Sequence, residues 1–138
     1  MTQSPDSDVV TQGIRVQASG RYLPDESDPD RSQFLFAYRI QITNEGDRPV
    51  RLLSRHWIIL DADNVREDVQ GDGVVGEQPE LQPGESHEYM SGCPLGTTWG
   101  TMEGSYTFEV TGDGKHKGET FEAKVGRFFL VSTLPSPA

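Results

Sequence analysis

Large apolar side chains fall on every second position through much of this chain. Phe34, Phe36, Tyr38, Ile40 and Ile42 share one face, with Arg39, Gln41 and Thr43 on the other. That is the period of a β-strand with one buried side, and five large apolar residues mark a central strand. Ile14, Val16 and Ala18 alternate with Arg15 and Gln17 in the same way. Met102, Gly104, Tyr106, Phe108 and Val110 alternate with Glu103, Ser105, Thr107 and Glu109. A long apolar stretch from Val50 to Leu60 predicts a further strand, joined to the Phe34–Ile42 strand through Asn44–Pro49 as a hairpin. A shorter strand is expected from Val65 to Val69, and another through Tyr89. The latter follows a type II turn in which Pro83 sets φ and Gly84 takes the positive-φ position. In the last strand Phe121, Ala123 and Val125 share a face, and the apolar phase then moves to Phe128 and Leu130. A one-residue slip at Gly126 predicts a β-bulge or sharp bend there.

No segment keeps a helical period over a useful length. The reading is therefore all-β, with seven or eight antiparallel strands. Each strand has one apolar face that needs cover, which favours a two-sheet sandwich, with a small barrel as the alternative. Residues 1–10 and 132–138 are rich in Ser, Pro, Asp and Thr and read as flexible tails around a single domain of 11–131. A polar loop is expected from about Pro24 to Ser32.

Charge narrows the choice of partner. The 138 residues carry 22 Asp and Glu against 12 Lys and Arg, a formal net charge of −10, which repels polyanions and argues against nucleic-acid binding. No apolar stretch reaches the roughly 18 residues that span a bilayer, and the first residues lack the basic and apolar regions of a signal peptide, so no membrane insertion is expected. Cys93 is the only cysteine. A free thiol persists most easily in a reducing compartment, and the expected location is cytoplasmic.

The candidate chemistry is sparse. Gly71, Gly73 and Gly76 match GxGxxG, a spacing that lets backbone amides approach a pyrophosphate when a strand precedes and a helix follows. Here Pro79 and Pro83 follow, and Glu67, Asp68, Asp72 and Glu77 crowd the segment with negative charge. The preferred reading is a tight loop whose glycines allow positive φ, with a phosphate site as its rival. His56, His87 and His116 are too far apart in sequence to form a local metal pair. His56 reads as a packed or hydrogen-bonded imidazole, His87 and His116 as exposed. Asp25, Glu26, Asp28 and Asp30 do not follow the spacing of a calcium loop. Cys93 has no histidine nearby in sequence to activate it and reads as inert. No catalytic residue, metal site or cofactor is expected. In Gly92–Gly100, Leu95 and Trp99 sit among Gly and Thr, and at least one is expected to project from the surface as a partner contact. The rival reading is that Trp99 folds back over the core.

Several stretches carry a resemblance: FAYRIQITNEGDRPVRLLSRHWIILDADN at 36–64, VQGDGVVGEQPELQPGESHEYMSGCPL at 69–95, GTMEGSYTF at 100–108 and VGRFF at 125–129. Together they resemble the ApaG family of small bacterial proteins, also called CorD, across most of the chain. The resemblance implies an immunoglobulin-like or fibronectin type III-like sandwich and supplies no catalytic residues. It also implies an association with cobalt tolerance and magnesium efflux. ApaG-like domains in eukaryotic F-box proteins and in a protein that interacts with a DNA polymerase look like protein-binding modules. The family's GxGxxG, entertained as a pyrophosphate site, falls on Gly71, Gly73 and Gly76. This chain departs from the family at Gly126, where many relatives have proline, and at Thr98–Trp99, where a proline and a small residue are usual. The leading expectation is a non-enzymatic protein-interaction domain in the setting of divalent-cation homeostasis. A phosphate or nucleotide sensor using residues 71–76 and a direct cation-binding protein are the alternatives.

Overall fold

A computed structural model describes residues 4–132. The described residues form nine strands: β1 (Ser7–Thr11), β2 (Ile14–Tyr22), β3 (Phe34–Asn44), β4 (Val50–Asp61), β5 (Arg66–Asp72), β6 (Glu80–Leu81), β7 (Ser86–Leu95), β8 (Trp99–Val110) and β9 (Thr120–Val131). Two short 3-10 turns, Pro24–Glu26 and Pro29–Arg31, occupy the polar loop between β2 and β3. One antiparallel sheet has the order β1-β2-β3-β7. The other has the order β5-β4-β8-β9, with two-residue β6 also paired to β4. The alternating faces of both sheets meet in one core that includes Phe36, Ile40, Ile42, Leu52, Tyr106, Phe108 and Phe128. This is the two-sheet sandwich expected from the alternation.

Two expectations about connection change. β3 and β4 do not form a hairpin: β3 pairs with β2 and β7, whereas β4 pairs with β5, β6 and β8. Both strands present large apolar faces, and placing them in opposite sheets lets each cover the other. Asn44 holds the corner where the chain crosses. It is buried, its Nδ2 donates to the carbonyls of Arg48 (2.8 Å) and Leu81 (3.0 Å), and its Oδ1 accepts from the Gly46 amide (3.0 Å). The second change concerns the amino-terminal tail. Ser7–Thr11 is a strand, turned into β2 by Gln12 and Gly13, both at positive φ. Val9, Val10 and Thr11 are β-branched, a strand signal that the polar composition around them hid. Of the two expected tails, residues 1–3 and 133–138 lie outside the described residues.

The bulge expected at Gly126 is present: Gly104 faces Val125 and Met102 faces Phe128, so β9 carries one residue more than β8. A second bulge, in β4 between Leu52 and Ser54, reverses the phase of that strand. Leu52 points inward opposite Phe108. Beyond the bulge Arg55 lies opposite buried Tyr106 and Trp57 opposite Gly104, so Arg55 takes an inward position in a strand that otherwise reads as apolar.

Candidate functional site

The inward Arg55 organises the glycine loop. Its Nη1 donates to the carbonyls of Asp72 (3.0 Å) and Gly73 (2.9 Å). A Cβ at Gly71, its neighbour on β5, would lie 2.8 Å from Nη2, so only glycine leaves room for the guanidinium there. Gly73 has φ +63°, and a Cβ on it would come 2.3 Å from the Glu77 carbonyl oxygen. Val75 and Gly76 both have positive φ and form the centre of a two-residue turn closed by Val74 N to Glu77 O (2.8 Å) and Glu77 N to Val74 O (3.0 Å). The Gly73 amide donates to Leu53 O at 2.8 Å. The amides of residues 73, 74 and 77 thus have acceptors inside the protein, and the loop aims two carbonyls at a cation. The chain then runs to Pro79 and β6 with no helix among the described residues. The dipole and free amides of a helical phosphate site are therefore missing from this arrangement.

The other titratable groups are dispersed. His56 Nε2 lies 2.8 Å from Asp68 Oδ2 across the β4–β5 pair, the hydrogen-bonded imidazole expected for it. Asp68 also accepts from Arg66, and first Arg66 and then His56 hold its carboxyl well below the usual carboxylate range. His116 is exposed and paired with Glu119 at 3.0 Å. His87 is not exposed as expected: it is half-buried beside Tyr89, 3.7 Å from Glu77, because β7 turns its odd-numbered residues toward the core. Asp25, Glu26, Asp28 and Asp30 lie along the two 3-10 turns. No three His, Cys, Asp or Glu side chains among the described residues are grouped to hold a metal. Cys93 is buried, and burial, with the charge of Glu67 adding, pushes its thiol up to about 11, which makes it a poor nucleophile near neutral pH.

Leu95 and Trp99 part company. Leu95 is buried in the core beneath Gly100 and offers nothing to a partner, since the strand period of β7 reaches it. Trp99 begins β8 and is 40% exposed. Across the β8–β9 pair, its neighbours Phe129 (56% exposed) and Val131 (47% exposed) lie on the same outer face. The Trp99 and Phe129 rings are tilted at 31° with centroids 6.3 Å apart. Gly20, Arg21, Tyr22 and Pro24 line a shallow groove of mixed polarity beside Phe129 and Val131. Phe129 and Val131 were not singled out in the sequence. The phase shift at Gly126 carries the signal: if Phe128 and Leu130 point in, the residues that alternate with them point out.

No helix among the described residues is long and apolar enough to cross a membrane. A family model described as the ApaG domain matches residues 24–110. Protein ApaG of Methylobacterium sp. (strain 4-46) is 51% identical over 120 residues, spanning 87% of this chain and 88% of the relative. Protein ApaG of Dechloromonas aromatica (strain RCB) is 48% identical over 126 residues, spanning 91% and 95%. Among solved structures, that of an ApaA protein from Bordetella pertussis superposes with a TM-score of 0.81 at 41% identity, over 96% of this chain and 98% of that one. The C-terminal domain of wzt, at 10% identity and a TM-score of 0.52, covers 94% of this chain and 82% of its own, a likeness of fold alone. On the extent and level of these matches, this chain belongs to the ApaG domain family.

Proposed function

We propose that this chain is a non-enzymatic protein-interaction domain whose partner engages Trp99, Phe129 and Val131. The observation that supports the reading is the grouping of these three large, exposed apolar side chains on one outer face, with the Trp99 and Phe129 rings packed side by side. Exposed aromatic residues held by a rigid sheet are a common anchor of protein interfaces. Arg21 borders the same groove and has no carboxylate within ion-pair distance among the described residues. The partner chemistry that fits is a protein segment presenting an apolar side chain with an acidic group beside it. A reducing, cytoplasmic setting suits the single thiol. Divalent-cation homeostasis, with cobalt tolerance and magnesium efflux, is carried over from the family resemblance. Any cation effect is then indirect, since each histidine sits with its own carboxylate in a different part of the fold.

The test is affinity capture from native lysate with the wild-type chain and with a Trp99→Ala/Phe129→Ser double variant. The expected outcome is a partner retained by the wild type and lost by the variant, with the same circular dichroism and unfolding midpoint for both. If the folded variant retains the partner, the interface lies elsewhere.

A further inference from the structure

The two sheets end in β1, β7, β5 and β9, and all of these edges but one are guarded. β9 lies against β1 and β2, so β1 and β9 cover each other. β5 carries Arg66, Glu67, Asp68 and Asp72 along its length, and an edge lined with charge resists a further strand. β7 has neither device, and its pairing with β3 runs from Leu95 to Ser86 without a bulge. The Asn44 amide donates to the Glu85 carbonyl and the Asn44 carbonyl accepts from Gly84, so the even-numbered residues of β3 bond toward β7. The Leu35 carbonyl instead accepts from Leu23, on the β2 side. Phe36 faces Cys93 and Ile40 faces Tyr89, so the odd-numbered residues of β7 hold this ladder. The amides and carbonyls of Ser86, Glu88, Met90 and Gly92, with the Pro94 carbonyl, then point away from it. On the outer face of these positions Met90 is 59% exposed, and Glu88 is neutralised by Arg39 at 2.8 Å.

We propose that β7 is a self-association edge: a second copy of this chain pairs its own β7 antiparallel to it about a two-fold axis at Met90, joining two four-stranded sheets into one. The pattern of β7 is self-complementary in this register, as an isologous interface requires. Met90 meets Met90 of the second copy, and each covers apolar surface that now faces water. Glu88 meets Gly92 of the second copy, so like charges are not opposed. Ser86 meets Pro94 of the second copy, which puts the missing proline N–H on the outermost pair. Other axes fit worse. Moving the axis to Gly92 sets Pro94 against Met90 and leaves a carbonyl near the centre without its donor. Moving it to Glu88 sets the two Glu88 carboxylates against each other. The net charge of −10 on each copy opposes association, so the pair tightens as salt screens that repulsion. This edge is separate from Trp99 and Phe129, which lie on β8 and β9 of the other sheet.

The experiment is sedimentation velocity of the full chain from roughly 10 μM to 1 mM, the span of a weak interface, at about 0.3 M salt. The wild type is expected to move from monomer toward dimer across this span. Met90→Lys and Met90→Glu each put like charges on the axis and are expected to weaken association about tenfold. Because residue 90 is exposed, both are expected to keep the circular dichroism of the wild type. A two-fold axis at Met90 sets residue 90 against itself, so an equimolar mixture of the two variants brings Lys opposite Glu and is expected to associate at least as well as the wild type. A wild type that stays monomeric overturns the proposal. Dimerisation of both single variants at the wild-type level overturns β7 as the edge, and a mixture no stronger than either variant alone overturns the axis at Met90.

Discussion

The two sides of this sandwich close in opposite ways. On one side β9 lies against β1 and β2, and the approach is close because two side chains are missing. A Cβ at Gly20 would lie 2.6 Å from Leu130 Cδ2, and a Cβ at Gly126 would lie 2.8 Å from Val9 Cγ2. The Lys124 amide donates to Thr11 Oγ1 at 3.2 Å across the same seam. On the other side β5 and β7 end their sheets without sealing them, and the inward positions there carry Arg55, Ser91, His87 and the tyrosine hydroxyls. Glycine serves a different purpose at each: at 20 and 126 it lets strands meet, at 71 it makes space for a charged group. Apolar contact at the sealed side holds the sheets together, and the open side can then tolerate polar groups that would weaken a core.

The sharpest way to break that comparison is to wedge the sealed side open. Gly20→Val places methyl groups against Leu130 Cδ2 and the Phe129 carbonyl, which is 3.2 Å from the ideal Cβ. We expect a loss of about 2–3 kcal/mol, in the range of overpacked cores. It should appear as a lower urea midpoint with the slope unchanged. A loss below about 0.5 kcal/mol, typical of a tolerant surface site, would mean the seam is loose.

The open side predicts a pH dependence that the seam lacks, because Val9, Gly20, Gly126 and Leu130 carry no titrating proton. The Cys93 thiol is raised from an ordinary 9.0 to about 11, chiefly by burial. The folded state therefore holds this proton more tightly than the unfolded state. Its contribution is complete below pH 9 and is lost as pH rises through 11. At about 1.4 kcal/mol for each of the two pH units between these values, the loss is roughly 3 kcal/mol at most. Burial also raises the Tyr38, Tyr89 and Tyr106 hydroxyls, so part of the fall belongs to them. The quantity to read is the difference between wild type and Cys93→Ser in urea unfolding across this interval. Parallel curves for the two proteins would show that Cys93 contributes no slope.

Sequence pattern made the strands legible and their partners much less so. The faces of β3 and β8, the Pro83–Gly84 turn and the bulge at Gly126 could be read because each is a local matter of period or φ. Gly84 is at φ +90°, and the Glu85 amide closes the turn on the Gln82 carbonyl. Which sheet a strand joins depends on distant residues, so Asn44 read as the start of a hairpin turn when it is the buried hub of a crossing. Arg55 was missed for a related reason: the bulge after Leu52 sits inside a run of apolar residues whose phase cannot be told by alternation. The candidate sites followed the same rule. Gly71 and Gly73 could be assigned to a tight loop, but not the arginine that the loop encloses.

The smallest expected effect lies on the outside of the sealed edge, and it separates contact from burial. Phe129 and Val131 belong to the strand that forms the seam, yet they alternate with Phe128 and Leu130, which are buried. Trp99 and Phe129 touch each other while each keeps a large part of its surface in water. Replacing them singly, as Trp99→Ala or Phe129→Ser, removes that edge contact but leaves the inner face of β9 and the glycine seam intact. A change within about 0.5 kcal/mol is expected for each in urea unfolding, the usual range for surface positions. Against it stands the loss of about 2–3 kcal/mol expected for Gly20→Val a few ångströms inward. A loss above 2 kcal/mol for either outer residue would make it part of the seal, and an aromatic pair needed for folding could not also be free for a partner.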